Sequence, residues 1–117
     1  MHELSICRSL FETAQSVLAE RGLESRVEAL TVEVGRFTAV VPDALRFAFD
    51  VLARGTPFEG ARLDIVEIPL RTRCTSCGLE REPEEPALLC PACEGIVAIL
   101  AGRELRLTAI DLAEAAA

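Results

Sequence analysis

At 117 residues the chain is one modest domain, or a small domain carrying a metal-stapled insert. Nineteen acidic residues against 12 basic ones leave a net charge of −7, which argues against a nucleic-acid partner because phosphates need a basic face. Half the residues are hydrophobic, enough for a core, and no apolar run reaches the roughly 18 residues that span a bilayer, so direct membrane insertion is not expected.

Residues 4 to 21 carry helical periodicity. Leu4, Cys7, Leu10, Phe11, Ala14, Val17 and Leu18 form one apolar stripe, and Gly22 follows as a C-cap. Cys7 falls on that stripe, which favours a buried core thiol over a role near the chain start. Residues 27 to 37 alternate as a half-buried strand, with Leu30, Val32 and Val34 on one face and Gly35 at its end or at a bulge. Pro42 opens a second helix, with Asp43 in its first turn and a stripe of Val41, Ala44, Leu45, Ala48, Phe49 and Leu52; Gly55 closes it. Residues 61 to 70 form a second strand whose apolar phase changes between Ile65 and Val66. This suggests a bulge or burial on both sides, with Pro69 at an edge. A metal loop occupies roughly 71 to 95, and its middle, Glu80 to Pro86, is a solvated acidic lobe. Ile96 to Leu100 is a short apolar run, Gly102 interrupts it, and Arg103 to Leu112 alternates as a last strand returning to the first sheet. The expected architecture is α+β: two helices packed on a three-stranded sheet, with an inserted four-cysteine zinc ribbon. In domain terms, residues 1–70, completed by 101–117, form one part and residues 71–100 the zinc ribbon.

Cys74-Thr-Ser-Cys77 and Cys90-Pro-Ala-Cys93 are two C-x-x-C pairs separated by twelve residues. A two-residue spacer lets both sulfurs of a pair point at one ion, and two such knuckles complete a tetrahedron, which suits Zn(II). Gly78 follows the first pair, Gly95 lies two residues after the second, and Pro91 stiffens the second knuckle. Two disulfides are the competing reading. They are disfavoured by the lack of a signal peptide and by a reducing cytoplasm, where we expect the protein to work. A rubredoxin-like iron site uses the same ligands but usually has aromatics nearby, and this loop has none. Four thiolates close the site, so its expected role is stability rather than chemistry.

His2 is the sole histidine. One reading makes it a surface residue at a frayed terminus. The other makes it part of a chelate, in which the Met1 α-amine, the amide nitrogen of residue 2 and the imidazole close adjacent rings around Ni(II) or Cu(II). Methionine aminopeptidases prefer a small second residue, so Met1 should be retained. No Ser–His or Cys–His constellation, phosphate loop or supported carboxylate pair is present, so no enzyme is expected. A zinc-ribbon binding module of transcription or translation is the alternative function, and the acidic balance counts against it.

Met1-His2-Glu3-Leu4-Ser5-Ile6 resembles the start of the HypA/HybF family, the nickel-insertion accessory proteins of [NiFe]-hydrogenase maturation. Val32-Glu33-Val34-Gly35, the run from Pro42 to Phe49, Gly60-Ala61-Arg62-Leu63, the two C-x-x-C pairs and Gly102-Arg103-Glu104-Leu105-Arg106 continue the likeness in order along the chain. The resemblance implies an α+β nickel-binding domain plus a zinc ribbon, with nickel bound through His2 and with Glu3 beside it contributing by backbone or hydrogen bonding. It also implies a HypB-type GTPase partner and delivery to the hydrogenase large subunit. Where family members often carry an acid just before the proline of the second helix, this chain has Val41, and the nearest acid is Asp43.

Overall fold

The computed structural model describes residues 2–113. In chain order the elements are α1 (His2–Glu20), β1 (Val27–Gly35), a 3-10 turn (Arg36–Thr38), α2 (Pro42–Ala53), β2 (Arg62–Ile68), β3 (Arg71–Cys74), β4 (Glu80–Arg81), β5 (Val97–Ala101) and β6 (Leu105–Leu112). They form two three-stranded sheets, ordered β2-β1-β6 and β4-β3-β5. Both expected helices and the return of the last strand to β1 are present. The stretch read as a metal loop is corrected: it folds its own sheet, because β3 pairs antiparallel with β4 and with β5. Two-residue β4 is too short to show alternation, and β3 reads as Arg-Thr-Arg-Cys with no apolar residue to mark it except Cys74.

Contacts divide the chain into two compact units. One takes the chain up to Val32, Val40–Val66 and the chain from Arg106 onward; the other takes Glu33–Ala39 and Glu67–Leu105.

The first unit is built on the packing of α1 against α2. Cys7, Leu10 and Ala14 of α1 are buried, as are Leu45, Ala48, Phe49 and Ala53 of α2. The stripe read for α2 is trimmed at its start: Val41 and Ala44 are exposed. Phe11 stacks on Phe49 with ring centroids 5.1 Å apart and tilts against Phe58 at 4.8 Å. These three rings make up most of a small aromatic inventory, and offset pairs of this kind add to simple area burial. The Cys7 thiol lies wholly inside and donates to the Leu45 carbonyl at 3.4 Å. Helix α1 ends in a Schellman pair, in which the Leu23 amide donates to the Leu18 carbonyl and the Gly22 amide to Ala19. Central strand β1 buries Val27, Ala29, Leu30 and Val32, consistent with a place between two neighbours. Edge strand β2 buries only Leu63 fully, so the apolar phase change after Ile65 reflects an exposed Val66 and not a strand covered on both sides.

In the second unit the chain crosses itself tightly. The Gly35 amide donates to the Glu104 carbonyl at 2.7 Å and the Phe37 amide to the Gly102 carbonyl at 2.8 Å. A Cβ on Gly35 would lie 2.0 Å from the Gly102 oxygen, so no larger residue fits. The Glu104 carboxylate accepts the Gly102 amide at 2.7 Å, and the Arg103 guanidinium sits over the Phe37 ring, 5.4 Å from its centroid. Gly102-Arg103-Glu104 is therefore a structural clasp on the turn that follows β1.

Candidate functional site

The four cysteines of the two pairs converge. Their Sγ atoms all lie within 4.8 Å of one another, with Cys74 and Cys93 3.4 Å apart and Cys77 and Cys90 3.7 Å apart. A tetrahedron with Zn–S bonds near 2.3 Å has edges of about 3.8 Å, so the sulfurs already stand at ligand spacing. Each pair forms the same turn. The Gly78 amide donates to the Cys74 carbonyl at 3.1 Å, and the Glu94 amide donates to the Cys90 carbonyl at 2.8 Å. The positive φ of the turn falls on Gly78 in one knuckle and on Glu94 in the other. Gly95 is not among the positive-φ glycines, and its role is steric. A Cβ there would meet Ser76 Oγ at 2.7 Å and Cys74 Sγ at 3.1 Å, so its smallness lets the two knuckles approach.

Backbone amides aim at the sulfurs. Ser76 and Cys77 donate to Cys74 Sγ at 3.3 and 3.4 Å, Ala92 to Cys90 Sγ at 3.4 Å, and Gly95 to Cys93 Sγ at 3.4 Å. Such donors favour the thiolate. The Cys77 amide, helped by that of Ser76 and by the neighbouring sulfurs, brings Cys74 down to about 6 against the pull of burial. At Cys93 the Gly95 amide also lowers the value. The Cys74 and Cys77 sulfurs and burial outweigh it and hold that thiol at about 12 without a cation. Four negative sulfurs this close need a central positive charge, and a divalent ion supplies it while displacing the remaining protons. Cys74 and Cys90 are buried, Cys77 and Cys93 exposed, so the cluster faces solvent on one side. Its full set of four sulfurs leaves no open coordination position.

The second set of candidate residues lies at the start of α1. His2 Nε2 is 3.4 Å from Glu3 Oε2, with the His2 side chain 53% exposed and that of Glu3 only 15%. The same carboxylate oxygen accepts the Val41 amide at 3.3 Å. Val41 is the N-cap of α2 and offers no side-chain cap of its own. Glu3 therefore brings a carboxylate to the helix start where the resemblance led us to look for an acid and the chain has Val41. Its own amide, then that of Val41, then the charge of His2 hold the carboxyl below its ordinary value, with partial burial opposing. Sequence reasoning placed Glu3 beside His2 but missed its 38-residue reach to Val41. The only signal for it was an N-cap residue that cannot cap. The His2 amide belongs to the first turn of α1, whose amides have no intrahelical carbonyl partner. Met1 lies outside the described residues, and the α-amine ligand with it. Cys7 is not brought into this group as a ligand: it is fully buried, and burial, with a smaller push from Glu3, raises its thiol to about 11.

Among the described residues, no helix is long and apolar enough to cross a membrane. Two solved structures share the fold. One is described as the solution structure of HypA protein, with a TM-score of 0.68, 24% identity and coverage of 97% of each chain. The other, the solution structure of the Ni metallochaperone HypA from Helicobacter pylori, gives a TM-score of 0.64 at 22% identity over 94% of this chain and 96% of that one. Among curated relatives, the hydrogenase maturation factor HypA of Chloroflexus aurantiacus is 41% identical over 113 residues, covering 95% of this chain and 98% of that protein. The factor of the same name from Desulfatibacillum aliphaticivorans is 36% identical over 115 residues, covering 97% and 88%. Residues 1–112 match the family model described as hydrogenase/urease nickel incorporation, metallochaperone, hypA, and the chain belongs to that HypA family of nickel-incorporation metallochaperones.

Proposed function

We propose that this protein carries Ni(II) on its N-terminal segment and passes it to the large subunit of [NiFe]-hydrogenase, working in the cytoplasm with a HypB-type GTPase and catalysing no reaction itself. Nickel is the cargo. The His2 imidazole and backbone nitrogens beside it are its donors, with the Met1 α-amine as a further one and Glu3 holding the segment in place. Zn(II) is the resident ion of Cys74, Cys77, Cys90 and Cys93. In this division residues 1–70, completed by 101–117, handle nickel, and residues 71–100 hold zinc. The observation that carries the reading is the placement of the sole histidine at the exposed start of α1, next to a carboxylate anchored on α2. A thiolate set that is already complete leaves that imidazole for a second metal.

Nickel calorimetry on the untagged protein tests this. His2→Ala should abolish tight binding and leave zinc content unchanged. Adding Gly-Ser before Met1 should weaken nickel binding if the α-amine is a ligand. Unchanged affinity in His2→Ala overturns the site, whereas an unaffected extended form removes only the α-amine. Acid should release nickel, since imidazole with a reference value of about 6.5 must be neutral to coordinate.

A further inference from the structure

The zinc-bearing unit exposes an apolar ridge that neither metal uses. Leu89 and Ile96 face each other across an antiparallel bridge, and the Val97 amide donates to the Leu88 carbonyl at 3.0 Å, so residues 88–97 form a short hairpin around the second knuckle. Leu88, Leu89 and Ile96 are 64%, 59% and 67% exposed. Scattered exposed leucines are ordinary, but three together on one hairpin are not. Cross-strand partners of this kind have their Cβ atoms about 5 Å apart, so Leu89 and Ile96 form one continuous surface.

Charge indicates what covers it. From residue 82 to 96 the chain carries Glu82, Glu84, Glu85 and Glu94, all exposed, and no Lys or Arg. Of the basic residues that flank this run in sequence, Arg81 is half-buried, Arg71 pairs with Glu80 at 3.1 Å, Arg103 sits over the Phe37 ring, and Arg73 is exposed on β3. We propose that this ridge docks into a groove of a partner protein that has an apolar floor and a Lys/Arg rim. A second copy would bring the same carboxylates face to face. Anionic lipid and nucleic acid are repelled for the same reason. The metal knuckle gives the ridge the rigidity that lowers the entropic cost of docking. This docking does not depend on the nickel reading.

A defined probe tests it: an amphipathic peptide helix with leucine on one face and arginine on the other, titrated into the zinc-loaded full chain and followed by amide NMR. A matching peptide with glutamate in place of arginine is the control. We expect saturable shifts centred on residues 82–97 with the arginine peptide and none with the glutamate peptide. Leu89→Ser/Ile96→Ser and Glu84→Gln/Glu85→Gln should each weaken binding by about tenfold or more. Both double variants should retain zinc, which reports that the hairpin is still folded. Shifts centred elsewhere, equal binding of the glutamate peptide, or unchanged affinity in both variants overturn the proposal. Concentration-dependent shifts of Leu89 and Ile96 without peptide assign the ridge to a second copy and overturn it as well.

Discussion

Cys7 shows how one side chain ties stability to pH. Its thiol is sealed between α1 and the Leu45 carbonyl, and burial raises it to about 11. The unfolded thiol ionises near about 8.5. Between these values the folded state holds a proton that the unfolded state has lost. The contribution is therefore fully present below about 8.5 and disappears as pH climbs toward 11. Thermal unfolding of the zinc-loaded protein should show this loss on the alkaline side, and Cys7→Val should remove that part of the slope while keeping the fold. Identical alkaline slopes in the two proteins would show that the thiol is not held neutral. Glu3 acts in the opposite sense. Its lowered carboxyl contributes above the ordinary carboxylate range, and the contribution goes as acid protonates it. The tether to Val41 should loosen along with it.

At the level of elements, the tightest constraint is the crossing of the end of β1 with the segment before β6. Gly35 has φ −77, which any residue adopts, so its identity is set by space alone. The atoms that a Cβ would strike, the Gly102 carbonyl at 2.0 and 2.1 Å, are backbone and cannot rotate away. Gly35→Ala should cost about 3 kcal/mol or more, because relief requires moving two chain segments. Gly22 makes the contrast. It has φ +65, and a Cβ added there would meet nothing within 4 Å, so Gly22→Ala should cost only about 1 kcal/mol. Urea unfolding of the two variants measures both, and equal costs would refute the steric account.

For the molecule as a whole, the four-cysteine cluster divides what depends on metal from what does not. The unit containing α1 and α2 has its own core of Leu45, Phe49, Phe58 and Leu30. The second unit has few fully buried side chains beyond Leu70, Cys74 and Cys90, so metal binding must supply much of its folding free energy. Purified protein should hold one zinc per chain. Cys90→Ser should weaken zinc retention and collapse the amide signals of β3 to β5, while signals around Leu45 and Phe49 persist. Acid should release the zinc, because all four sulfurs must be deprotonated to bind and Cys93 holds its proton more strongly than Cys74. Metal analysis across a pH series and NMR of the variant check both. Full retention with Cys90 and Cys93 both replaced would refute the assignment.

Much of this protein is determined by local pattern. The stripes of α1 and α2, the alternation of β1 and β6 and the C-x-x-C spacing are each legible because the period of an element or the bite of a chelate is written within a few residues. The segments read only as loop were those without such a period, β3 with its arginines and two-residue β4, while the strand expected to reach residue 37 ends at Gly35 and gives way to the 3-10 turn at Arg36–Thr38. Tertiary structure alone decided the long-range contacts. It joined Glu3 to the uncapped start of α2, set Gly35 against Gly102, and made Gly95 the space where two knuckles meet. The reason is physical: a periodicity reports which face an element buries, whereas a close approach between distant segments is fixed only when the whole chain has packed.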